Sequence, residues 1–225
     1  MKLKWLGHAC FLITADDGTR ILTDPYNAEV GYKLPLEDAD YVTVSHDHFD
    51  HNSVANVPGS PEVIKGPGHF ELGTVNAVGV PTAHDEQGGA KRGHNTAYCF
   101  DLPGAGETVR ICHLGDLGHQ LTPQQRESIG EVDVLLVPTG GTYTITAGGA
   151  ADLVRQMRPR VVVPMHYKTD VLSFPLSPVT DFTQLMGRAD IEFTGQPSVT
   201  LDAAEVKALE RSGDRPKVLV LEYTR

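Results

Sequence analysis

The chain has 225 residues, of which 40% are hydrophobic and 21% charged, enough apolar material for a single domain over residues 1–225. Its formal net charge of −10 disfavours a protein that binds nucleic acid by neutralising phosphates. No apolar run is long enough to span a membrane, and three widely spaced cysteines without a C-x-x-C pair are typical of a reduced, cytoplasmic protein.

The first half of the chain is predicted to be β-structure, and the apolar stretch 5–13 near its start is predicted to be strand. Strands at Cys10–Thr14 and Arg20–Thr23 flank a turn whose Asp17-Gly18 step supplies the positive φ that a tight hairpin needs. The Gly-rich stretch 87–94 is predicted to be a loop. Apolar runs predict further strands at Tyr41–Val44, Glu62–Lys65, 74–80, 96–102 and 108–114.

The second half alternates between helix and strand. A helix is predicted at Pro123–Ile129, with Thr122 as its N-cap and proline in its first position. Further helices are predicted at Ala147–Met157, 180–186 and 203–211, and strands at 132–137, 161–164 and 218–222. A meander followed by β-α-β units implies sheets covered by helices, an α/β layered sandwich.

The densest group of polar side chains directly follows the predicted strand Tyr41–Val44. It has the form His46-x-His48-x-Asp50-His51. His46 and His48 are two residues apart, so in extended backbone their rings point to the same side. Three imidazoles and a carboxylate at the open end of a strand suit one or two cations such as zinc.

Other candidate ligands also follow strand-like apolar runs. His84, Asp116 and His166 each come at or just after the end of such a run, and Asp24 stands beside a rigid proline at another strand end. Strand ends can meet at one edge of the sheets, where loops present reactive groups on a rigid scaffold. We therefore expect these residues to approach the 46–51 cluster.

Together these motifs resemble the metallo-β-lactamase superfamily of hydrolases. The resemblance covers roughly residues 3 to 170 and implies a four-layer αββα sandwich. Within the superfamily, the opening Trp5-Leu6-Gly7-His8-Ala9 and the Thr23-Asp24-Pro25 step are similar to the branch that contains L-ascorbate-6-phosphate lactonase and N-acylphosphatidylethanolamine phospholipase D.

The resemblance implies a dinuclear centre. Two zinc ions are expected, with manganese or iron as alternatives, and Asp116 would bridge them. The remaining ligands would be His46, His48 and His84 for one ion and Asp50, His51 and His166 for the other. Asp50, which would orient the nucleophile, and His166 are the predicted catalytic residues. Two divalent ions, two aspartates and a bridging hydroxide leave a charge near +1, which suits an anionic substrate.

Two further residues are candidates for supporting the ligands. Asp24 could accept the outer N–H of a ligand histidine and fix its tautomer. His8 could support a ligand or contact substrate, and a structural strand histidine is an equal alternative. His113 could replace His84 as a ligand, but its alternation with Val109 and Ile111 favours a buried, hydrogen-bonded histidine.

Several loop residues are candidates for contacting the substrate. Tyr143 could reach the cleft with its hydroxyl, and Lys168 could bind a substrate phosphate or carboxylate, with an ordinary solvated lysine as the alternative. His119 and His94 could line the pocket or be exposed loop residues. His69 is predicted to lie in a surface turn.

The expected activity is hydrolysis of a small, anionic ester or lactone by a metal-activated water. A phosphodiesterase acting on a small phosphodiester is the nearest alternative. A diiron oxidoreductase is disfavoured because, by the same resemblance, such a protein would have glutamate at the position of His48. A non-catalytic module is disfavoured because every expected metal ligand is present.

Overall fold

A computed structural model describes residues 1–34 and 36–224. They form two β-sheets and four α-helices, which we number in chain order. The strands are β1 (Lys2–Gly7), β2 (Cys10–Thr14), β3 (Arg20–Thr23), β4 (Tyr41–Val44), β5 (Glu62–Lys65), β6 (Gly68–Leu72), β7 (Val75–Ala83), β8 (His94–Pro103), β9 (Thr108–His113), β10 (Val134–Pro138), β11 (Val161–Met165), β12 (Asp190–Phe193), β13 (Ser198–Thr200) and β14 (Lys217–Val220). The helices are α1 (Pro123–Ile129), α2 (Ala147–Met157), α3 (Val179–Leu185) and α4 (Ala203–Ala208).

The first sheet has six strands in the order β13-β1-β2-β3-β4-β5. Its centre is the predicted hairpin, in which Gly18 has φ 93° and the Asp17 carboxylate accepts a hydrogen bond from the Thr19 amide. Strands β3, β4 and β5 pair in parallel. Strand β1 runs in the same direction, because it is antiparallel to β2, which is antiparallel to β3.

The second sheet has eight strands in the order β12-β14-β11-β10-β9-β8-β7-β6. Strands β9, β10, β11 and β14 pair in parallel, and β7 runs in the same direction because β8 is antiparallel to both β7 and β9. Every residue of β10 and β11 is buried, as expected for central parallel strands covered on both faces.

The helices begin at side-chain caps that the sequence makes visible. Thr122 and Gln125 form a capping box at α1, with Pro123 in the first position. Thr146 caps α2 and Asp202 caps α4. Helix α1 contacts β7, α2 contacts β10, α3 packs on α2, and α4 contacts β9.

The buried apolar side chains of both sheets belong to one hydrophobic core cluster. Among the largest are Trp5 and Phe11 from the first sheet and Tyr98 and Phe100 from the second. The core is therefore continuous between the two sheets. None of the described helices is both long and apolar enough to cross a membrane.

The α/β sandwich predicted from the sequence is confirmed, and the strands of the hairpin, β4 and β5 have their predicted bounds. Three strands were not predicted: β6, β12 and β13. His69 accordingly lies exposed on β6, so its prediction as a turn residue was wrong. Helix α4 ends at Ala208, three residues earlier than predicted, because the backbone is already extended at Leu209.

Candidate metal centre

In each sheet, three strands that run in the same direction as one another deliver polar residues to one edge. Each residue or segment stands at or just beyond the last residue of its strand. They are His8 after β1, Asp24 after β3, the 46–51 segment after β4, His84 after β7, Asp116 after β9 and His166 after β11. The two sheets therefore present their side chains to a common space, as the strand-end argument predicted.

Three of these residues have a left-handed backbone, which is uncommon for residues other than glycine. The φ angles are 54° at His8, 42° at Asp24 and 51° at His166, each at the first residue after a strand. The His166 amide also donates to the His8 carbonyl over 3.1 Å, which ties the end of β11 to the end of β1. Such turns aim a side chain sharply away from the strand direction.

The side chains form two neighbouring groups of potential ligand atoms. One group is His46, His48 and His84, and the other is His8, Asp50, His51 and His166; within each group the atoms lie within 4.8 Å of one another. Asp116 lies between the groups. Its Oδ2 is 3.2 Å from Nε2 of both His84 and His166, and its Oδ1 is 3.3 Å from Nε2 of His51.

Buried polar atoms in this space lack protein partners. Nε2 of His46, Nε2 of His51 and Oδ1 of Asp116 are buried and form no hydrogen bond with the described residues. An unsatisfied buried polar group costs about 1–3 kcal/mol. Imidazole nitrogens and carboxylate oxygens at this density suit a borderline divalent cation such as zinc, so the donor set fits a metal centre.

Asp24 and Ser45 orient two of the histidines. The buried Asp24 carboxylate accepts hydrogen bonds from Nδ1 of His51 at 2.8 Å, from the Ser45 amide at 2.8 Å and from the Ser45 hydroxyl at 2.6 Å. That hydroxyl lies 2.9 Å from Nδ1 of His46, from which it can accept. The His46 ring then carries its proton on Nδ1 and directs the Nε2 lone pair towards Asp116. Burial opposes a charge on His51, but Asp116 and Asp24 raise its pKa well above the usual value, so a proton on its Nε2 faces Asp116 where a bound cation would replace it.

The charges of the site follow from burial and from these contacts. Burial opposes ionisation of Asp116, but His166 and His51 hold its pKa well below the usual value. Burial, with His51 nearby, lowers the pKa of His46 to about 3. Burial and His166 lower the pKa of His8 to about 4. At neutral pH, His46 and His8 are therefore neutral imidazoles beside ionised carboxylates.

His8 supports Asp50. Its Nε2 lies 3.2 Å from Oδ2 of Asp50, and since the ring is neutral this nitrogen can carry the proton and donate. The ring packs against that of His166, with centroids 4.1 Å apart and the planes tilted by 39°, and it is completely buried. The contact agrees with one of the roles predicted for His8, the support of a candidate ligand, here Asp50.

The histidines of the eight-stranded sheet are placed through their backbones. Nδ1 of His84 and Nδ1 of His166 are buried and have no hydrogen-bond partner among the described residues. Gly118 lies so close to His84 that a Cβ there would come within 2.3 Å of the His84 carbonyl carbon. A Cβ on Gly140 would lie 2.1 Å from the His166 carbonyl oxygen. Only glycine permits these approaches.

The remaining histidine candidates lie outside the two groups. His113 is buried, with Nε2 2.7 Å from the Ala9 carbonyl and Nδ1 accepting from the Gly115 amide, which confirms a structural histidine. Nε2 of His119 accepts from the Ala83 amide, next to His84, and Nδ1 is 2.8 Å from the Gln120 carbonyl. His94 is exposed at the start of β8.

Tyr143 and Lys168, both predicted as substrate contacts, line different cavities. Tyr143 lines the cavity above the two groups. Lys168 lines a different cavity and donates to the carbonyls of Leu172 and Phe174, so it braces the loop that carries Phe174.

The cavity over the site has a volume of about 370 Å³, in the range of small-molecule sites. Four site residues form its floor: His48, Asp50, His84 and Asp116. Its walls are Phe49, Arg92, Tyr143 and Phe174. Of these walls, only Tyr143 was predicted from the sequence.

Two supporting residues were also missed. The Asn95 side chain accepts from the Asp116 amide at 3.0 Å and donates to the Leu114 carbonyl, which fixes the turn after β9. The buried Asp85 carboxylate accepts from four backbone amides of the Gly-rich loop, those of residues 87, 89, 91 and 92. Acidic residues beside a Gly-rich stretch were the available signal for Asp85.

Comparison with known proteins agrees with this geometry. Residues 2–166 match the family model for the beta-lactamase superfamily domain. The chain is 35% identical to a UPF0173 protein of Pyrococcus furiosus over 192 residues, 75% of this chain and 84% of the relative. It is 30% identical to a UPF0173 metal-dependent hydrolase of Archaeoglobus fulgidus over 207 residues, 78% of this chain and 85% of the relative.

Solved structures show the same architecture. A Thermotoga maritima protein described as a Zn-dependent hydrolase of the metallo-beta-lactamase superfamily superposes with a TM-score of 0.76 at 38% identity, covering 99% of both chains. A metallo hydrolase of Ignicoccus hospitalis has the same fold, with a TM-score of 0.66 at 21% identity over 100% of this chain and 96% of its own.

The fold and the site thus define a protein of the metallo-β-lactamase type. Within that superfamily, the chain belongs to the UPF0173 metal-dependent hydrolase family.

Proposed function

We propose that the protein is a dinuclear zinc hydrolase that cleaves a small, anionic ester or lactone. The observation that carries the proposal is the position of Asp116, whose two carboxylate oxygens lie within 3.3 Å of Nε2 atoms of His51, His84 and His166. A carboxylate between two sets of imidazoles is suited to bridging two cations.

The proposed ligand sets follow the two groups of side chains. His46, His48 and His84 would hold one cation, and Asp50, His51 and His166 the other, with Asp116 shared. His8 belongs to the second group by distance, but its Nε2 faces Oδ2 of Asp50 and we assign it to positioning that carboxylate. When bound, divalent cations lower the pKa of a coordinated water and polarise the bond under attack.

The protein's own groups would prepare that attack. Asp50 is held ionised: burial opposes its charge, but the hydrogen bond from His8 and the nearby His51 lower its pKa. An ionised carboxylate fixed through one oxygen can accept a hydrogen bond from an attacking water through the other. His166, whose ring packs against that of His8, would complete the catalytic pair predicted from the sequence.

The walls of the cavity suit a small substrate with an apolar part. Phe49, Tyr143 and Phe174 supply aromatic surface, and a volume of about 370 Å³ holds only a small molecule. The preference for a lactone rests on the resemblance of residues 5–9 and 23–25 to the lactonase-containing branch.

The three cysteines are buried and free, which supports the proposal of a cytoplasmic protein.

The test is to load the purified protein with zinc and assay lactone, aryl ester and phosphodiester panels in parallel. We expect turnover of lactones or esters and a zinc content approaching two per chain. Turnover confined to phosphodiesters would overturn the substrate class, and stoichiometric redox-active iron in the protein as isolated would overturn the hydrolase.

The catalytic assignment needs its own variant. Asp50→Ala should abolish hydrolysis, whereas Asp47→Ala, which changes an exposed carboxylate three residues away, should not. Undiminished hydrolysis by Asp50→Ala on a confirmed substrate would refute the role given to Asp50.

A further inference from the structure

One cationic side chain, Arg92, stands in the wall of the cavity over the candidate centre. The charged floor residues Asp50 and Asp116 are already engaged by histidines. Both are carboxylates, which repel an anion, so among the cavity-lining residues Arg92 is the permanently cationic group that can meet a negative charge on a ligand.

The backbone of the loop that carries Arg92 is fixed by hydrogen bonds, although the Arg92 side chain is exposed. The Asp85 carboxylate accepts the Arg92 amide at 2.7 Å and the Lys91 amide at 2.8 Å, and it also accepts two amides earlier in the loop. Asp85 directly follows His84, so the loop is fixed with respect to a proposed ligand. A placed cation loses less conformational entropy on binding than one on a mobile loop.

The guanidinium group is itself oriented. Its central carbon lies 5.6 Å from the centroid of the Tyr143 ring, and Nη2 donates to the Thr142 carbonyl at 3.2 Å. These contacts hold the plane of the group and use one of its five N–H donors. The remaining donors suit the paired oxygens of a carboxylate or phosphate.

Aromatic rings stand beside Arg92 in the same wall. The Phe174 ring lies 6.3 Å from both Phe49 and Tyr143, in edge-to-face geometry. The Phe49 ring remains 45% exposed within this wall. A ligand that covers this ring would remove apolar surface from water.

We propose that Arg92 and the rings of Phe49, Tyr143 and Phe174 form a subsite for a substrate that carries a carboxylate or phosphate group on an apolar body, away from the bond that is cleaved. The inference rests on the proposed hydrolase function and adds the part of the substrate that is recognised but does not react.

Binding of three phenyl compounds to the zinc-loaded protein tests the subsite. Phenylacetate and phenylphosphonate carry the two anions, and phenylacetamide is the neutral match. We expect one or both anions to bind more tightly than the amide. In Arg92→Gln this advantage should fall about tenfold, which corresponds to about 1.4 kcal/mol. The anion that loses affinity identifies the group that is recognised.

Lys91 provides a matched control. Its amide bonds to Asp85 as the Arg92 amide does, it is exposed, and it is absent from the cavity wall. Lys91→Gln removes a single positive charge, as Arg92→Gln does, and should leave all three affinities unchanged. Arg92→Lys should give an intermediate loss, because an ammonium group can neither stack on Tyr143 nor bind two anion oxygens at once as a guanidinium does. Equal losses in the Gln variants, or no loss in Arg92→Gln, would overturn the proposal.

The apolar part has a separate test. Phe174→Leu should weaken phenylacetate more than acetate, and equal effects on the two would refute the aromatic wall. Failure of the subsite remains distinct from failure of the function. Active protein with an unaltered Arg92→Gln variant rejects the subsite, whereas Arg92-dependent anion binding by a protein that cleaves no ester or lactone rejects the proposed ester or lactone hydrolysis.

Discussion

On the six-stranded sheet, the histidines of the 46–51 segment are held through their rings, whereas on the eight-stranded sheet His84 and His166 are held through their backbones. Asp24 and Ser45 lie within hydrogen-bond distance of Nδ1 of His51 and His46. Gly118 and Gly140 instead let neighbouring loops press against the chain at His84 and His166. A short, polar segment needs side-chain supports, while a residue isolated at a strand end can be placed by its main chain.

Asp116 is the residue that joins the two regions, so its loss should have the largest effect. Asp116→Asn keeps the shape but removes the charge shared by both groups. We expect zinc affinity to fall more than about 100-fold, beyond the loss typical of an outer support. Competition with a chromophoric chelator measures this, and Asp152→Asn, at an exposed ion pair with Arg155, is the control. Wild-type affinity in Asp116→Asn would exclude a bridging role.

The backbone support is tested by Gly140→Ala. Its Cβ would lie 2.1 Å from the His166 carbonyl oxygen, so the chain there must move. We expect about 1–3 kcal/mol lower stability and about 10- to 100-fold weaker zinc binding. Gly148→Ala meets only an ordinary 3.7 Å contact in α2 and should leave zinc binding unchanged. If the two alanine variants bind zinc alike, His166 is not placed by this contact.

The side-chain support is tested by Ser45→Ala. The variant removes the hydroxyl that links Asp24 to Nδ1 of His46, and we expect about tenfold weaker zinc binding. Thr43→Val is the matched control two residues earlier, because the buried Thr43 hydroxyl has no hydrogen-bond partner among the described residues. An effect of Thr43→Val as large as that of Ser45→Ala would argue that packing, not the hydrogen bond, orients His46.

Asp133 should separate stability from metal binding, with the smallest effect on zinc. It is buried, far along the chain from any candidate ligand, and pairs with Arg160, Lys207 and Arg211. Breaking such a network should cost about 3 kcal/mol of unfolding free energy at pH 7. Zinc affinity of Asp133→Asn should equal that of the wild type, and a parallel loss would show that global stability governs the site.

The loss of unfolding free energy in Asp133→Asn should depend on pH. Burial opposes the charge of Asp133, but Lys207 and the Arg110 amide hold its pKa below the usual value. The ionised form therefore stabilises the fold above about pH 4, the unfolded value, and this contribution disappears as the pH falls through the folded pKa. Urea unfolding of metal-free protein should show the gap between wild type and Asp133→Asn narrowing below pH 4. A constant gap would contradict this.

The same contrast explains what the sequence could predict. The 46–51 cluster is local, so its spacing alone indicated ligands. His84, Asp116 and His166 were predictable as strand-end residues because the apolar runs before them are clear. Arg92 and Phe174 were missed because their place depends on how the loops fold back over the strands, and no local pattern records that.

The missed strands have a related cause. Strand β13 has three residues and pairs with β1, far away in the chain, while β12 lies at the edge of its sheet and is mostly exposed. Short edge strands are decided by the partner available, not by their own periodicity. Ser45 was missed for another reason. It directly precedes the histidine motif, and its role depends on contacts with Asp24 and His46 that the spacing of the motif does not reveal.

The left-handed turns at His8, Asp24 and His166 have a consequence for how this chain can change. An L-residue in that conformation costs about 1–2 kcal/mol relative to glycine. Glycine at these places would relax the main chain, yet it would remove one candidate metal ligand and two side chains that support candidate ligands. The main-chain cost at each position is therefore offset by what its side chain does: Asp24 and His8 hold His51 and Asp50, and His166 is itself a candidate ligand.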